Sequence, residues 1–146
     1  MRKNGLIFLL ATVVVALPCA AQTADDPCFE KAQTQAQLNA CAADSLKRAD
    51  NELNRLFKQM TDRLANDKKA RQLLVEAQRK WIGFRDAECS FQVMRSAGGS
   101  IQPMRQRMCQ AAITQSRVVD FQKQLACSKD ADEQRAAECA VPPASK

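Results

Sequence analysis

Residues 34–64, TQAQLNACAADSLKRADNELNRLFKQMTDRL, carry a long and regular apolar pattern. The apolar residues recur at steps of three and four and are Leu38, Ala42, Leu46, Ala49, Leu53, Leu56, Met60 and Leu64. Such steps place side chains on one face of an α-helix. Thr34 is a residue type suited to cap a helix N-terminus. We therefore predict a long amphipathic helix that begins at Thr34.

Two further long helices are predicted downstream. Asp67 is suited to cap the second helix, which should end near Ala97 because glycines follow. Its predicted apolar face comprises Ala70, Leu74, Ala77, Trp81, Phe84 and Phe91. The third helix should begin at Ile101 and Pro103 and stop near Cys127. Its predicted inner face comprises Met104, Met108, Ala111, Val118, Phe121 and Leu125.

A single helical turn at residues 27–32 and a short helix at residues 130–138 are expected at the two ends of this region. Because the connections are short, the predicted fold is all-α, an antiparallel bundle of three long helices with short terminal helices. A chain of this length is expected to form one domain, here residues 22–127. Residues 128–146 are interpreted as an extension tied by a disulfide, with a frayed tail from Ala140.

The first 21 residues have the three parts of a signal peptide. Arg2 and Lys3 are basic, residues 6–17 are apolar apart from one threonine, and small residues follow. The apolar run is shorter than the roughly 20 residues that a membrane span needs, so cleavage after Ala21 is expected and no transmembrane helix would remain. The predicted location is outside the cytoplasm, periplasmic or secreted. Lipid anchoring at Cys19 is the alternative, but Ala16 and Pro18 do not fit a lipobox.

Seven cysteines occur in the chain, and six remain when Cys19 is removed with the leader. An even number in a small exported protein is typical of a disulfide framework. In an antiparallel hairpin, Cys89 and Cys109 lie equidistant from Gly99 and should pair. Cys28 with Cys41, and Cys127 with Cys139, flank predicted breaks in the same way. A different pairing among these last four cysteines stays open.

Composition argues against several classes of protein. The chain has no His and no Tyr, which removes the commonest general base and metal ligand, and it lacks a C-x-x-C motif or a glycine-rich phosphate loop. We therefore predict no enzyme, no metal and no cofactor. Without Arg2 and Lys3, 20 basic residues stand against 16 acidic ones, a net charge of +4, with no long basic run. A nucleic-acid partner is therefore not expected.

Two sets of residues are candidates for a functional role. Polar side chains on or beside the apolar faces could converge into a network, in which an Asp50 carboxylate pairs with Arg85 or Arg117. This set comprises Asp50, Asn54, Gln78, Arg85, Thr114 and Arg117. The network either fixes helix register or faces a ligand. The candidates for contact with a partner are Trp81, Asp86, Glu88, Gly98, Gly99 and Ser100. For Trp81 the alternative is a place in the hydrophobic core.

The order of these motifs resembles the LprI-like lysozyme-inhibitor family. The resemblance rests on the segment from Cys28 to Cys41, on A-D-x-x-L-N at residues 49–54, on Q-x-x-W-x-x-F-R-D-A-E-C at residues 78–89, and on Gly98-Gly99-Ser100, Cys109 and T-Q-x-R at residues 114–117. It covers about residues 28–125. The family consists of small secreted, periplasmic or lipoprotein domains of bacteria.

The resemblance implies that the partner is a lysozyme or another cell-wall hydrolase, inhibited by a loop or helix end that enters its cleft. A second hypothesis is a structural or binding module of the periplasm without inhibitory activity. Its ligand would be peptidoglycan, an anionic envelope component or an envelope protein. An exposed acidic or small-residue loop near Gly98 would favour the first hypothesis. A basic stripe from Lys47, Arg48, Arg55 and Lys58 would favour the second.

Overall fold

A computed structural model describes residues 26–129 and 132–144. Five α-helices and one 3₁₀-helix follow one another without a strand in these ranges: α1 (Pro27–Lys31), α2 (Gln35–Arg63), α3 (Lys68–Gln92), the 3₁₀-helix Met94–Ser96, α4 (Gln102–Cys127) and α5 (Glu133–Glu138). The predicted all-α class is confirmed. The predicted leader, residues 1–21 with Cys19, lies outside the described residues.

The starts of the long helices follow from their caps. The Thr34 hydroxyl accepts a hydrogen bond from the Gln37 N–H at 3.2 Å, and Gln37 Oε1 accepts one from the Thr34 N–H at 3.0 Å, which together form a capping box. The Asp67 carboxylate accepts from the Ala70 N–H at 2.9 Å. Each cap satisfies backbone donors that have no partner inside the helix, so α2 and α3 begin where the sequence predicted.

The end of α3 differs from the prediction. The helix stops at Gln92 and not near Ala97, and residues 94–96 form a 3₁₀-turn. The Ser96 hydroxyl donates a hydrogen bond to the Val93 carbonyl at 2.8 Å. Serine competes in this way for backbone acceptors and favours turns over helix interiors. The hairpin between α3 and α4 is therefore longer than the glycines alone indicated.

The long helices run up, down and up, so that α2 and α4 are parallel. Near their starts, the Asn39 side chain donates to the Ser100 carbonyl at 3.2 Å. Near their ends, the Arg63 guanidinium donates to the Leu125 carbonyl at 2.9 Å. Helix α3 runs antiparallel to both and packs mainly against α4, whereas the most extensive packing of the bundle is between α2 and α4.

The hydrophobic core lies between α2 and α4. Its buried cluster comprises Leu53, Leu56, Met60, Val118, Phe121, Leu125 and Val141. Phe121 is fully buried and its ring stacks near Phe57, with centroids 6.4 Å apart. The predicted faces of α2 and α4 account for six of these seven residues, since both follow helical periodicity. Val141 is the seventh and lies only 1% exposed, in a stretch for which the sequence predicted a frayed tail.

The predicted apolar face of α3 is not a core face, and this prediction was wrong for three of its residues. Phe84 is 58% exposed, Phe91 is 68% exposed and Ala77 is also exposed. The residues of α3 that are buried are Gln78 and Cys89. Apolar residues of α3 are divided between two directions, because Leu74 and Trp81 turn towards the core while the two phenylalanines do not. Periodicity alone could not distinguish these directions.

Three disulfides staple the bundle; they include the predicted Cys89–Cys109 pair, and the structure decides the pairing of the other four cysteines, which the sequence left open. Cys28–Cys41 joins α1 to α2, Cys89–Cys109 joins α3 to α4, and Cys127–Cys139 joins the end of α4 to the segment after α5. The Cα atoms of each pair lie 5.6, 5.6 and 5.9 Å apart respectively, within the usual range for a disulfide. In the parts of the chain with described structure, no helix is long and apolar enough to cross a membrane.

Candidate functional site

Arg85 connects all three long helices. Its side chain is only 12% exposed, and Nη1 donates to Asp50 Oδ1 of α2 at 2.9 Å and to Thr114 Oγ1 of α4 at 3.2 Å. Its Nε donates to Asp86 Oδ1 at 2.9 Å, an oxygen that also accepts from the Gln110 side chain. A buried guanidinium needs such acceptors to offset its desolvation. The sequence left open whether Asp50 pairs with Arg85 or with Arg117, and the structure shows the pair with Arg85.

Trp81 lies between two guanidinium groups. The Arg85 Cζ atom is 5.4 Å from the ring centroid of Trp81, and the Arg117 Cζ atom is 5.9 Å from it. Arg117 also stacks on the Phe121 ring at 4.6 Å. Burial lowers the pKa of Arg117 because desolvation disfavours the charged form, although the nearby Asp120 charge opposes this. Trp81 is half-buried and packs against the core, so it is not available as an exposed anchor.

Three members of the predicted network stand apart from the Arg85 contacts, and one of them is Arg117, which lies against the Trp81 and Phe121 rings. Asn54 is exposed on α2 and makes no hydrogen bond to the other predicted members. Gln78 is 8% exposed, and its Oε1 atom has no hydrogen-bond partner within residues 26–129 and 132–144. The structure therefore brings together Asp50, Arg85 and Thr114, and adds Asp86 and Gln110. Gln110 was missed because nothing in its sequence position distinguishes it from the other glutamines of α4.

The hairpin loop, defined here as residues 93–101, protrudes at one end of the bundle. Gly98 has a φ angle of +78°, a conformation that glycine adopts without steric cost. Its N–H donates to Gln102 Oε1 at 2.9 Å, and the Ser100 carbonyl accepts from Asn39. Gly98, Gly99 and Ser100 are all exposed. The Cys89–Cys109 disulfide holds the two helices below the loop, so the loop is both exposed and constrained.

The two acidic candidates differ in how far they are engaged within the protein. Asp86 accepts hydrogen bonds from Arg85 and Gln110, although its side chain keeps 47% exposure. Glu88 is half-buried and accepts from the Gln92 side chain at 2.8 Å. Through the hydrogen bond from Gln110, Asp86 links α3 to α4. Both acids lie on α3, below the hairpin loop.

Arg95 is a residue of the hairpin loop that the sequence analysis did not select. It is exposed, and no carboxylate lies within salt-bridge distance of it in the described structure. It is also the one charged residue of the stretch from residue 93 to residue 101. The helix predicted to reach Ala97 would have included Arg95. Its position three residues before the Gly98-Gly99 turn is the signal that could have identified it.

The cations predicted to form a basic stripe on α2 are largely paired. Arg48 contacts Asp26, Arg55 contacts Glu52 at 2.6 Å, and Lys58 contacts Asp62 at 2.7 Å, whereas no carboxylate of residues 26–129 and 132–144 pairs with Lys47. The Arg55 hydrogen bond lowers the pKa of Glu52, which is the sign expected for a carboxylate beside a cation. The stripe of α2 is therefore mostly neutralised.

Unpaired cations are instead concentrated in the first half of α3. Lys68, Lys69, Arg71 and Arg79 have no carboxylate within 4.0 Å in the described parts of the chain, and only Lys80 pairs, with Glu76 at 2.9 Å. That hydrogen bond lowers the pKa of Glu76. A shallow groove of about 470 Å³ runs along this half of the helix and is lined by Lys68, Arg71, Gln72, Val75, Glu76 and Arg79. This surface is suited to anionic partners.

In the described residues, no group of three or more cysteine or acidic side chains is arranged to hold a metal ion. The fold and these surfaces define a class of protein: a small helical bundle, stapled by disulfides, with a constrained hairpin loop at one end and a basic, partly apolar helix on one side. The hairpin loop and the basic helix are the two exposed contact surfaces of this fold.

The chain belongs to the LprI family. The sequence profile of the family, described as "Lysozyme inhibitor LprI", matches residues 28–121. An uncharacterized protein of Rhizobium meliloti (strain 1021) is 34% identical over 117 residues, a match that covers 73% of this chain and 84% of the relative. No solved structure matches significantly. The family resemblance inferred from the motifs is confirmed. The description of the family names an inhibitor and not an enzyme.

Proposed function

We propose that this protein binds a peptidoglycan-degrading lysozyme outside the cytoplasm and inhibits it. The observation that carries the proposal is the family match over residues 28–121. Export is part of the proposal and is supported by the leader-like N-terminus and by three disulfides, which persist in oxidising compartments. The inhibitor would protect the peptidoglycan of the cell that makes it.

The surface proposed to enter the enzyme is the hairpin loop. Met94 is 56% exposed and Ile101 is 41% exposed, so the loop presents apolar side chains as well as small residues. The disulfide below it and the hydrogen bonds at Gly98 and Ser100 order the loop before any partner binds. A preordered loop loses less conformational entropy on binding, which favours high affinity. Rigid loops that fill a cleft are also well suited to exclude substrate.

Arg95 would supply the charge contact. Lysozymes act through carboxyl groups that flank the scissile glycosidic bond. A guanidinium pairs with carboxylates through strong and geometrically specific hydrogen bonds. Arg95 pairs with no carboxylate of the described residues and lies in the hairpin loop, so it can meet such groups in a cleft. A local contact of this kind does not require attraction between the whole molecules, which matters for an inhibitor that is itself basic.

The test is the lysis of a peptidoglycan suspension by a c-type lysozyme with increasing amounts of the purified protein. We expect dose-dependent protection at micromolar concentration. Ser100→Trp should weaken protection by about tenfold or more, because a bulky side chain at an exposed loop position obstructs insertion. Asn66→Trp is the matched control, since Asn66 is exposed in the connection between α2 and α3. Arg95→Ala should weaken protection while leaving the melting temperature unchanged.

Two results would contradict the proposal. Absence of protection at saturating concentration would exclude inhibition of this enzyme class. Protection that Ser100→Trp and Asn66→Trp reduce equally would exclude the hairpin loop as the binding surface. Direct titration of the protein into lysozyme without peptidoglycan separates inhibition from the second hypothesis, because a module that only coats the cell wall would protect the suspension and give no binding signal.

A further inference from the structure

Helix α3 carries an exposed row of residues at the spacing of a coiled-coil seam. Its six members follow one another at alternating steps of four and three positions and are Leu73, Ala77, Lys80, Phe84, Ala87 and Phe91. Such steps keep side chains on one side of a helix, as at the a and d positions of a heptad repeat. We call these six residues the α3 seam. It lies about 150° around the helix from the buried Gln78 and Cys89, so it faces away from the bundle.

The large side chains of the seam are well exposed. Leu73 is 53% exposed, Phe84 is 58% exposed and Phe91 is 68% exposed. They extend along a line of the helix about 27 Å long. Aligned apolar side chains of this size usually mark a contact surface.

The charges in and beside the seam cancel. Lys69 and Lys80 stand against Glu76 and Glu88, and Lys80 pairs with Glu76 at 2.9 Å. A border of mixed sign attracts no anionic surface over a long range, and it does not repel a second copy of the same chain. The seam is therefore suited to a protein partner of similarly balanced charge.

A glycine beside the seam indicates where such a partner comes close. Gly83 lies in the middle of α3, where glycine weakens a helix relative to alanine. Its φ angle is not positive, and a Cβ atom placed on it would meet no heavy atom of the described structure within 4 Å. Nothing within the described chain therefore requires a glycine at this position. The missing side chain instead allows a second helix to approach closely.

We propose that two copies of the chain associate through the α3 seam, with their α3 helices antiparallel. A two-fold axis level with residue 82 places every seam residue opposite another seam residue. The resulting pairs are Leu73 with the partner's Phe91, Ala77 with the partner's Ala87, and Phe84 with the partner's Lys80. Gly83 lies next to this axis, so the two glycines meet where the helices are closest.

Lys80 favours the antiparallel orientation. In a parallel pair in the same register, two Lys80 ammonium groups would face each other inside the contact, which is unfavourable. In the antiparallel pair, the Lys80 methylene groups pack on the partner's Phe84 ring. The ammonium group then stays at the edge of the contact, where Glu76 pairs with it. A single polar residue in a seam commonly sets orientation in this way, at some cost in affinity.

The area of the seam predicts a weak dimer. From their exposed fractions, Leu73, Phe84 and Phe91 present roughly 350 Å² per chain, or about 700 Å² for two chains. The alanines and the Lys80 methylene groups bring the total to about 1,000 Å², the lower limit for a specific interface. We therefore expect a dissociation constant on the order of 10–100 μM. At low micromolar concentrations the protein is then monomeric, and melting experiments report on the single chain.

The proposed dimer leaves the hairpin loop free. Each α3 helix leads into a hairpin loop, so the antiparallel pair places the two loops at opposite ends, about 30 Å or more apart. The α3 seam is thus a surface separate from the hairpin loop, and the pairing does not depend on lysozyme inhibition.

Sedimentation equilibrium of the purified protein from about 1 to about 500 μM measures the pairing. We expect a reversible equilibrium between monomer and dimer. Phe84→Ser with Phe91→Ser should raise the dissociation constant by about tenfold or more. Ile82→Ser with Val119→Ser is the matched control and should leave it unchanged. These two positions are 41% and 39% exposed, and Ile82 lies on the opposite side of α3 from the seam.

Gly83→Glu tests the close approach at the axis. It should raise the dissociation constant by about tenfold or more, because two added carboxylates would meet there. It should not lower the melting temperature of the monomer, since the described structure leaves space at this position and glutamate favours a helix more than glycine does. Gln122→Glu, at an exposed position on α4, adds the same charge and should leave the pairing unchanged.

Thiol cross-linking tests the orientation. Gly83→Cys brings two thiols together beside the axis, whereas Ser90→Cys places them about 24 Å apart along the antiparallel pair. A short bismaleimide should therefore join two copies of the first variant and not of the second, and in a parallel pair it would join both equally. Each variant also carries Cys19→Ser, so that the other six cysteines are those of the three disulfides.

Three results would overturn the proposal. The first is a protein that stays monomeric at the highest concentration. The second is a dissociation constant for Phe84→Ser with Phe91→Ser that equals that of the Ile82→Ser and Val119→Ser control. The third is cross-linking of Ser90→Cys as efficient as that of Gly83→Cys.

Discussion

At the scale of single residues, Arg85 is the side chain on which the junction of the three long helices depends. Its removal would leave the Asp50 carboxylate and the Thr114 hydroxyl without their common donor. We expect Arg85→Ala to lower the free energy of unfolding by about 1–3 kcal/mol, a range reduced because Asp50 keeps access to water. Urea unfolding measures the change. Arg79→Ala, at an exposed position with no ion pair to the described residues, should stay within about 0.5 kcal/mol of the wild type. Equal effects of the two changes would contradict the role of Arg85.

Two phenylalanines offer a second comparison at this scale. Phe121 is fully buried, whereas Phe91 is 68% exposed. Phe121→Ala should cost about 3–5 kcal/mol through the lost burial and the cavity that remains, and Phe91→Ala should cost less than about 0.5 kcal/mol. Calorimetric melting of both variants checks this. A large loss for Phe91→Ala would mean that the ring is covered in solution, by another copy or by another part of the chain.

At the scale of elements, the segment after α5 is part of the core through one residue. Val141 is 1% exposed and belongs to the core cluster that includes Leu53, Leu56 and Phe121, and the Cys127–Cys139 disulfide holds this segment near the end of α4. Val141→Ala should lower the free energy of unfolding by about 1–3 kcal/mol. Val119→Ala, at an exposed position of α4, is the matched control and should change it by less than about 0.5 kcal/mol. Similar values for the two variants, measured by chemical unfolding, would show that the segment is not docked.

The ends of the helices show which features a local sequence pattern can predict. The starts of α2 and α3 were predicted because a cap is a contact over three residues, as between Thr34 and Gln37. The end of α3 was predicted five residues too late, since its position depends on the hydrogen bond between Ser96 and Val93 in the turn.

The candidate site was predicted in part. Asp50, Arg85 and Thr114 were selected as polar residues beside apolar faces, but Arg95 and Gln110 depend on a loop and a register that periodicity does not describe.

At the scale of the whole molecule, the disulfides constrain the unfolded chain. They link residues separated by 13, 20 and 12 positions, and each should stabilise the fold by about 3 kcal/mol in the chain-entropy account. Reduction followed by alkylation should therefore lower the melting temperature substantially, as calorimetry would detect. An unchanged melting temperature would show that the cysteines are not bonded in the protein. Alkylation without prior reduction is the control.

The sequence by itself determined the helical class, the order of the long helices, the Cys89–Cys109 pair and the family. Each depends on relations along the chain: steps of three and four, caps, and distances from a turn. Only the tertiary structure decided that α3 turns Gln78 and Cys89 inward and leaves Phe84 and Phe91 exposed, and that Val141 enters the core. The physical reason is that periodicity identifies an apolar face of a helix, whereas burial depends on where neighbouring helices lie, and that position is set by the packing of the whole bundle.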